Sequence, residues 1–327
     1  MKIKIKKSKL ILSILIPLFF SFSYILLNNY IKGDQINYII FYETAANTSL
    51  KDTWALAISR LDSYEPISIY TLWVGAKLGI DKNIYISIFN VFLLCGIYLV
   101  LIKYKTPWYV IILVLTNFYI IVLMTGAERL KFSYLLLIYG LLLDNKKKFL
   151  FILLSPLAHL QSFIILIVLM IENFFYTVLK IFSKFRLKRI NSFSIIFVMF
   201  LAIVTIYFLQ ENIVRKIIIY TDSGRSISSK QYSEIFNVII LLFIALLVAK
   251  NQLKVLLLIL PMIVATYYLG SSRTNMIGFS LVFYILLVEN RLKHPYFLVI
   301  LIYLSLKSIP FVRNIFLNKN GFDGFLF

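Results

Sequence analysis

Ala127-Glu128-Arg129-Leu130-Lys131 sets an acid and two bases between the apolar runs 108–125 and 130–143. Those runs have the composition of membrane helices, and a charged group at such depth is costly unless it faces the protein interior or a water-filled cavity. Two further interruptions repeat the pattern, Leu157-Ala158-His159-Leu160-Gln161-Ser162 and Ser271-Ser272-Arg273-Thr274-Asn275. The chain therefore reads as apolar helices whose polar breaks are its candidate functional sites.

Composition points the same way. Of 327 residues, 61% are hydrophobic, and the mean hydropathy is +0.89. That profile belongs to a polytopic membrane protein and excludes a soluble domain. A net charge of +20 would suggest nucleic acid in a soluble protein. Here it follows from the bias of lysine and arginine toward cytoplasmic loops and from contact with anionic lipid, so no nucleic-acid partner is expected. The single cysteine, Cys95, lies in an apolar run, which leaves no intramolecular disulfide and no cysteine metal cluster. The basic start followed by the apolar stretch Leu10 to Leu27 resembles a signal peptide, but its full span length and lack of a small-residue cleavage site predict a retained first helix with a cytoplasmic N-terminus.

Apolar segments fall at 10–29, 66–79, 84–102, 108–125, 130–143, 149–158, 160–179, 193–210, 235–249, 253–269, 274–288 and 296–312. A full crossing needs about 20 residues, so several are too short to cross alone, and roughly 10–12 membrane helices are expected, some short, broken or re-entrant. The expected architecture is all-α, a single membrane domain over 1–327 with extracytoplasmic loops at about 30–65 and 211–234. Cytoplasmic placement of the N-terminus, Lys103-Tyr104-Lys105, Lys146-Lys147-Lys148, the Lys180 to Arg189 stretch, Lys250 to Lys254 and Arg291 to Lys293 puts the majority of the basic residues on that side.

This arrangement forces two irregularities. Segment 149–179 starts and ends on the cytoplasmic side, so it is expected to be a broken pair of helices turning near Pro156 to Ser162 and carrying His159 toward the outer face. Segment 66–79 is expected to be re-entrant or to lie along the interface. Irregular backbone at membrane depth is tolerated only where it is buried in protein or lines a cavity, so both features point to an outward-facing cavity.

Each constellation has a plain reading and a chemical one. Glu65-Pro66 is ordinary helix-start chemistry, an acid beside the positive end of a helix, or else an acid at a cavity mouth able to take a proton from a hydroxyl. Glu128 and Arg129 form an interfacial pair with Lys131 snorkelling to the surface, or else Arg129 faces inward to grip a phosphate with its planar fork. Arg273 opens a later helix at the same outer level, and Arg225, in a polar turn, adds a third guanidinium. His159 is one of two histidines; it is a packing residue or a proton acceptor with a near-neutral pKa. His294 sits in a cytoplasmic turn. Nucleotide-binding loops, Cys/His metal spacings and an Asp-x-Asp pair are missing from the sequence, so the chemistry is expected to run without metal or cofactor, on arginines with an acid or a histidine.

Taken in order, the first helix, the outer loop with Asp34 and spaced tyrosines, Glu65-Pro66, Arg129 opening a helix that ends in a lysine cluster, the break at His159-x-x-Ser162 and the late Arg273 resemble the EpsG-like and Wzy-like polysaccharide polymerases over about residues 30 to 290. The family's arginine is usually followed by glutamine, whereas leucine follows here. The resemblance implies a GT-C-like multi-pass glycosyltransferase of the bacterial cytoplasmic (inner) membrane. It would polymerise undecaprenyl-diphosphate-linked oligosaccharide units into O-antigen, capsular or exopolysaccharide on the outer face, with no cofactor. Its partners would be the polyprenyl-diphosphate-linked oligosaccharide, membrane lipid, a chain-length regulator and a flippase. It places the catalytic base at His159, Glu65 or Asp34 in that order, diphosphate binding at Arg129, Arg273 and Arg225, and sugar contacts at Tyr38, Tyr42, Gln161 and Ser162. A flippase of lipid-linked oligosaccharide, an accessory export subunit, a membrane acyltransferase and a C-type transferase adding one sugar are the rival classes; the missing internal repeat counts against a transporter.

Overall fold

In a computed structural model, residues 2–143, 147–165, 229–269 and 272–323 are described, and every regular element among them is helical. The helices are α1 (Lys2–Asn29), α2 (Asp34–Ala45), α3 (Leu50–Leu61), α4 (Pro66–Lys77), α5 (Lys82–Lys103), α6 (Trp108–Leu115), α7 (Phe118–Thr125), α8 (Glu128–Leu142), α9 (Lys147–Ala158) with a 3-10 turn at Leu160–Ser162, α10 (Ser229–Val248), α11 (Gln252–Leu269), α12 (Ser272–Val288) and α13 (Pro295–Asn318). Among the described residues, three are long and apolar enough to cross a membrane, Leu10–Asn29, Lys82–Lys103 and Pro295–Asn318, and the bent pair α6–α7 makes a fourth if it counts as one span. The expected segment 193–210 and most of segment 160–179 and of loop 211–234 lie outside the described residues.

The chain packs as two compact units, one from Met1–His159 with Leu298–Leu326, the other from Leu160–Phe297. In the second, α10, α11 and α12 pack on one another, and the stacked rings of Phe279 and Phe297, 6.2 Å apart, join α12 to the start of α13. In the first, α1 and α5 run antiparallel: Asn83 Nδ2 donates to Asn28 Oδ1 (2.7 Å), and Ser23 meets Ser87 a turn deeper (3.0 Å). Helix α8 runs parallel to α5. Their starts meet where Lys82 approaches Glu128 (3.9 Å), and their ends meet where Lys103 Nζ donates to the Leu141 and Leu142 carbonyls (3.0 and 3.2 Å). A lysine is suited to that end, where the last carbonyls of a helix have no amide partner. Gly96 allows the close approach: a Cβ there would lie 2.8 Å from Ile138 Cγ2. Helix α9 returns along α8 and brings His159 back to the level where α8 begins.

The run 108–125, continuous in sequence, is two helices bent by 44°. Asn117 makes the break, its side-chain oxygen accepting from the Tyr119 amide (2.9 Å) as an N-cap. On the other side of the break Ser305 of α13 donates to the Leu113 carbonyl (2.9 Å). A bend at membrane depth persists only when neighbours take up the backbone groups it releases.

The segment 30–65, expected as a loop, is largely two helices, α2 and α3. They pack with α4 around Phe41, Ala45, Ala57, Leu61, Ile69 and Leu72. Helix α4 has 12 residues, about 18 Å at 1.5 Å per residue, and cannot cross a bilayer. Both of its flanks, Glu65 and Lys82, reach the first turn of α8.

The end of α1 is also the end of α13. The Ile31 and Lys32 amides donate to the Lys319 carbonyl (3.2 and 3.0 Å), and Lys319 Nζ donates to Asn29 Oδ1 (2.8 Å). With α1 and α13 both crossing, residues 2 and 323 lie on opposite sides of the membrane. Topology reporters inserted ahead of Lys2 and after Asp323 are expected to give opposite signals in cells; the same signal from both would exclude this pairing of helix ends.

Candidate functional site

Consecutive residues at the start of α8 send their side chains into separate buried clusters. Helix α7 ends at Thr125, and α8 begins at Glu128 behind Ala127, which has no side-chain oxygen to cap it. The last carbonyls of α7 are taken by side chains: that of Met124 accepts from Lys131 Nζ and Asn90 Nδ2 (both 3.0 Å), and that of Thr125 from Gln35 Nε2. Glu128 lies among the same groups. Its Oε2 accepts from Lys131 Nζ (3.0 Å), its Oε1 from Gln35 Nε2 (3.0 Å), and Lys82 Nζ stands 3.9 Å away while donating to Gln35 Oε1 (2.6 Å). Glu128 and Lys131 are fully buried, so Lys131 does not snorkel and Glu128 does not pair with Arg129.

Arg129 turns toward α2, α4 and α9. Its Nη1 donates to Glu65 Oε2 (2.7 Å) and weakly to the Asp62 carbonyl (3.5 Å), and its Nε donates to the Tyr38 hydroxyl (3.1 Å). Asp62 ends α3 with φ +45°, a left-handed conformation that Asp tolerates better than most residues, and this turn aims its carbonyl at the guanidinium. Among the described residues Nη2 of Arg129 has no hydrogen-bond partner, and the residue keeps 9% of its surface.

Glu65 is the centre of this second cluster. It occupies the N-cap position of α4 ahead of Pro66, yet its side chain makes no capping bond, so ordinary helix-start chemistry does not account for it. Instead its buried carboxylate accepts from Arg129, from the Ser63 hydroxyl and from His159 Nδ1 (3.1 Å). Burial by itself would raise the Glu65 pKa; the Arg129 charge, then the His159 contact and the Ser63 hydroxyl, outweigh it and hold the carboxyl well below its usual range. An ionised carboxylate only accepts, so His159 Nδ1 carries a proton in this contact and Nε2 is the ring nitrogen turned away from Glu65. The arrangement is a carboxylate–imidazole pair, of the kind in which an acid can orient a ring. Glu65, expected as one candidate base, lies in contact with both Arg129 and His159.

The other expected residues fall as follows. Tyr38 joins the site through its hydroxyl. Tyr42 does not stand ready to stack a sugar: it is buried, its hydroxyl donates to the Ile80 carbonyl (3.0 Å), and its ring meets Tyr85. Asp34 is the exposed first residue of α2, beside the inward-turned Gln35. Gln161 and buried Ser162 form the 3-10 turn directly after His159. Arg273 is in the first turn of α12, in the other unit; Arg225 lies outside the described residues. Gln35, Lys82 and Ser63 were not expected. Lys82 follows Asp81 at a helix start and reads as an interfacial pair, and Gln35 carries no signal beyond standing next to Asp34.

Substituting Glu65 by Gln keeps the shape and removes the charge opposite Arg129. Breaking a buried ion pair from one side costs about 3–5 kcal/mol, so Glu65→Gln is expected to lower the thermal unfolding temperature in detergent. Because the folded pKa of Glu65 is depressed, its contribution is complete above the ordinary carboxylate value of about 4.3 and is lost as pH falls through the folded value. The gap in unfolding temperature between wild type and Glu65→Gln should therefore be present above pH 5 and narrow below pH 4. A gap unchanged across that range would show that Glu65 is not held ionised.

Comparison of the chain with protein-family models, with curated proteins and with solved structures gave no match, and its function is accordingly read from the geometry of this site.

Proposed function

We propose that the protein is a GT-C-like membrane glycosyltransferase that polymerises polyprenyl-diphosphate-linked oligosaccharide on the outer face of a bacterial cytoplasmic membrane. The observation that carries this reading is the buried relay Arg129–Glu65–His159. It combines an imidazole held by a carboxylate with a guanidinium whose Nη2 has no partner among the described residues. The relay lies at the end of α1 and the start of α5, opposite the end marked by Lys103 and Lys147; with the lysine-rich end cytoplasmic, the relay faces outward.

In this mechanism His159 Nε2 removes the proton from an acceptor sugar hydroxyl, the resulting oxygen attacks the anomeric carbon of the donor, and the bond from that carbon to the diphosphate oxygen breaks. The polyprenyl diphosphate departs with the electron pair. Glu65 holds the imidazole and stabilises the imidazolium as it forms. The Nη2 edge of Arg129, which has no partner among the described residues, supplies donors to the leaving phosphate, where preorganised donors act on developing charge. Glu65 and Tyr38 fix the guanidinium so that this edge needs no reorganisation. Arg273 and Arg225 are carried into this reading as further diphosphate donors by the resemblance alone.

Purified protein incubated with a lipid-linked repeat unit is expected to yield a ladder of chain lengths. Movement of the lipid across the bilayer without new bonds would identify a flippase instead, and addition of one sugar a single-addition transferase. In the same assay His159→Asn should lower the rate by about 10²- to 10⁴-fold, the usual share of a general base. Arg129→Lys should lower it by about 10²- to 10³-fold despite the retained charge, since a single ammonium cannot serve Tyr38, Glu65 and a phosphate together. EDTA should leave the rate unchanged, because arginines carry the diphosphate charge; loss of activity restored by magnesium would overturn that part.

A further inference from the structure

We propose that Lys131 and Glu128, with Gln35 and Lys82, are positioning residues that set the direction of Arg129. The inference rests on the polymerase reading only for its kinetic arm. Stability alone does not explain this cluster. Two ammonium groups and one carboxylate are buried around the first turn of α8, and a buried ionic network is commonly no more stable than apolar residues of the same volume. What such a network supplies is a single geometry, because each buried donor and acceptor is satisfied in one arrangement only.

The geometry it fixes is the turn between α7 and α8. That turn leaves the Met124 and Thr125 carbonyls without helical amides, and Ala127 offers no cap. Lys131 binds the Met124 carbonyl and Glu128 together (3.0 Å each), and so ties the last turn of α7 to the first turn of α8. Gln35 ties the Thr125 carbonyl and Glu128 to α2, the helix that also supplies Tyr38 to Arg129. Lys82 adds α5 through Gln35. Glu128 and Arg129 are consecutive in the first turn of α8 and project about 100° apart, so the rotation of that turn that seats Glu128 in this cluster also points Arg129 at Glu65. A loosened cluster would leave Arg129 in place but free to tilt, and displacement of a reacting or charge-stabilising group by about 1 Å is enough to cost on the order of 10²-fold in rate.

The test compares Lys131→Met, Glu128→Gln and the double variant Glu128→Gln/Lys131→Met. Two readouts apply, hydrogen exchange of the amides at 124–131 in detergent-solubilised protein and steady-state kinetics on the lipid-linked repeat unit, each normalised to folded protein. Each single variant is expected to speed exchange at 124–131 while leaving the amides at the middle of α5 slow. Each should also lower kcat by about 10- to 100-fold with KM within about twofold. The double variant removes one charge of each sign and restores the wild-type net charge of the cluster, so it should fold better than Glu128→Gln alone and lose less activity than the two losses multiplied together. Wild-type exchange at 124–131 in the double variant, or a wild-type kcat in any folded variant, would overturn the proposal. If the single variants do not fold, the double variant decides alone. Altered exchange in a protein that makes no polymer even as wild type would retain the positioning role and reject the polymerase reading.

Discussion

Neutralising buried charge is the constraint around which the first unit is built. Arg129, Lys131 and Lys82 are held inside by two carboxylates, Glu65 and Glu128, both without solvent exposure. In a medium that screens poorly, an unmatched ion at such a site is far more costly than at a surface. Each carboxylate must therefore be delivered to its cation, and the elements that deliver them are the architecture. Glu65 arrives at the head of α4, Glu128 and Arg129 at the head of α8, Lys82 at the head of α5, and His159 at the tail of α9. Five chain segments, α2 included through Gln35 and Tyr38, are pinned at one level.

The same level gathers the breaks in regular backbone. Helix α7 ends and α8 starts there, α3 gives way to α4 through the left-handed Asp62, and α9 gives way to a 3-10 turn at His159. Each break releases carbonyls or amides that must find partners where water is scarce. The polar side chains meeting them, Lys131, Asn90, Gln35 and Arg129, are thus both the reason the breaks are tolerated and the groups the breaks present. Chemistry and backbone satisfaction draw on one set of residues, which makes this region hard to alter piecemeal.

His159 shows how a common residue acquires a direction. Alone in an apolar stretch it is compatible with simple packing. Beside a carboxylate that Arg129 and Ser63 keep ionised, its Nδ1 faces the acid and its Nε2 is turned away from Glu65. The guanidinium beside Glu65 lowers the basicity of the acid, so within the proposed mechanism orientation falls to Glu65 and proton transfer to His159.

The sequence by itself determined the helical class, the boundaries of α4, α5, α8, α9, α11 and α12 to within a few residues, the break at His159 and the polar steps at Glu65 and Arg129. These follow from hydropathy, span length and helix-start chemistry, which act over a few residues and leave a local trace. Only the tertiary structure decided which charge meets which: that Glu128 goes to Lys131 and Lys82, that Glu65 is shared by Arg129 and His159, that Tyr42 belongs to the core while Tyr38 belongs to the site, and that Asn117 bends a run continuous in hydropathy. Gln35 and Glu128 stand 93 positions apart in sequence and His159 and Glu65 94. Pairings at that separation are selected by the requirement that every buried polar group find a partner, a condition imposed by the packed whole and invisible in any single stretch.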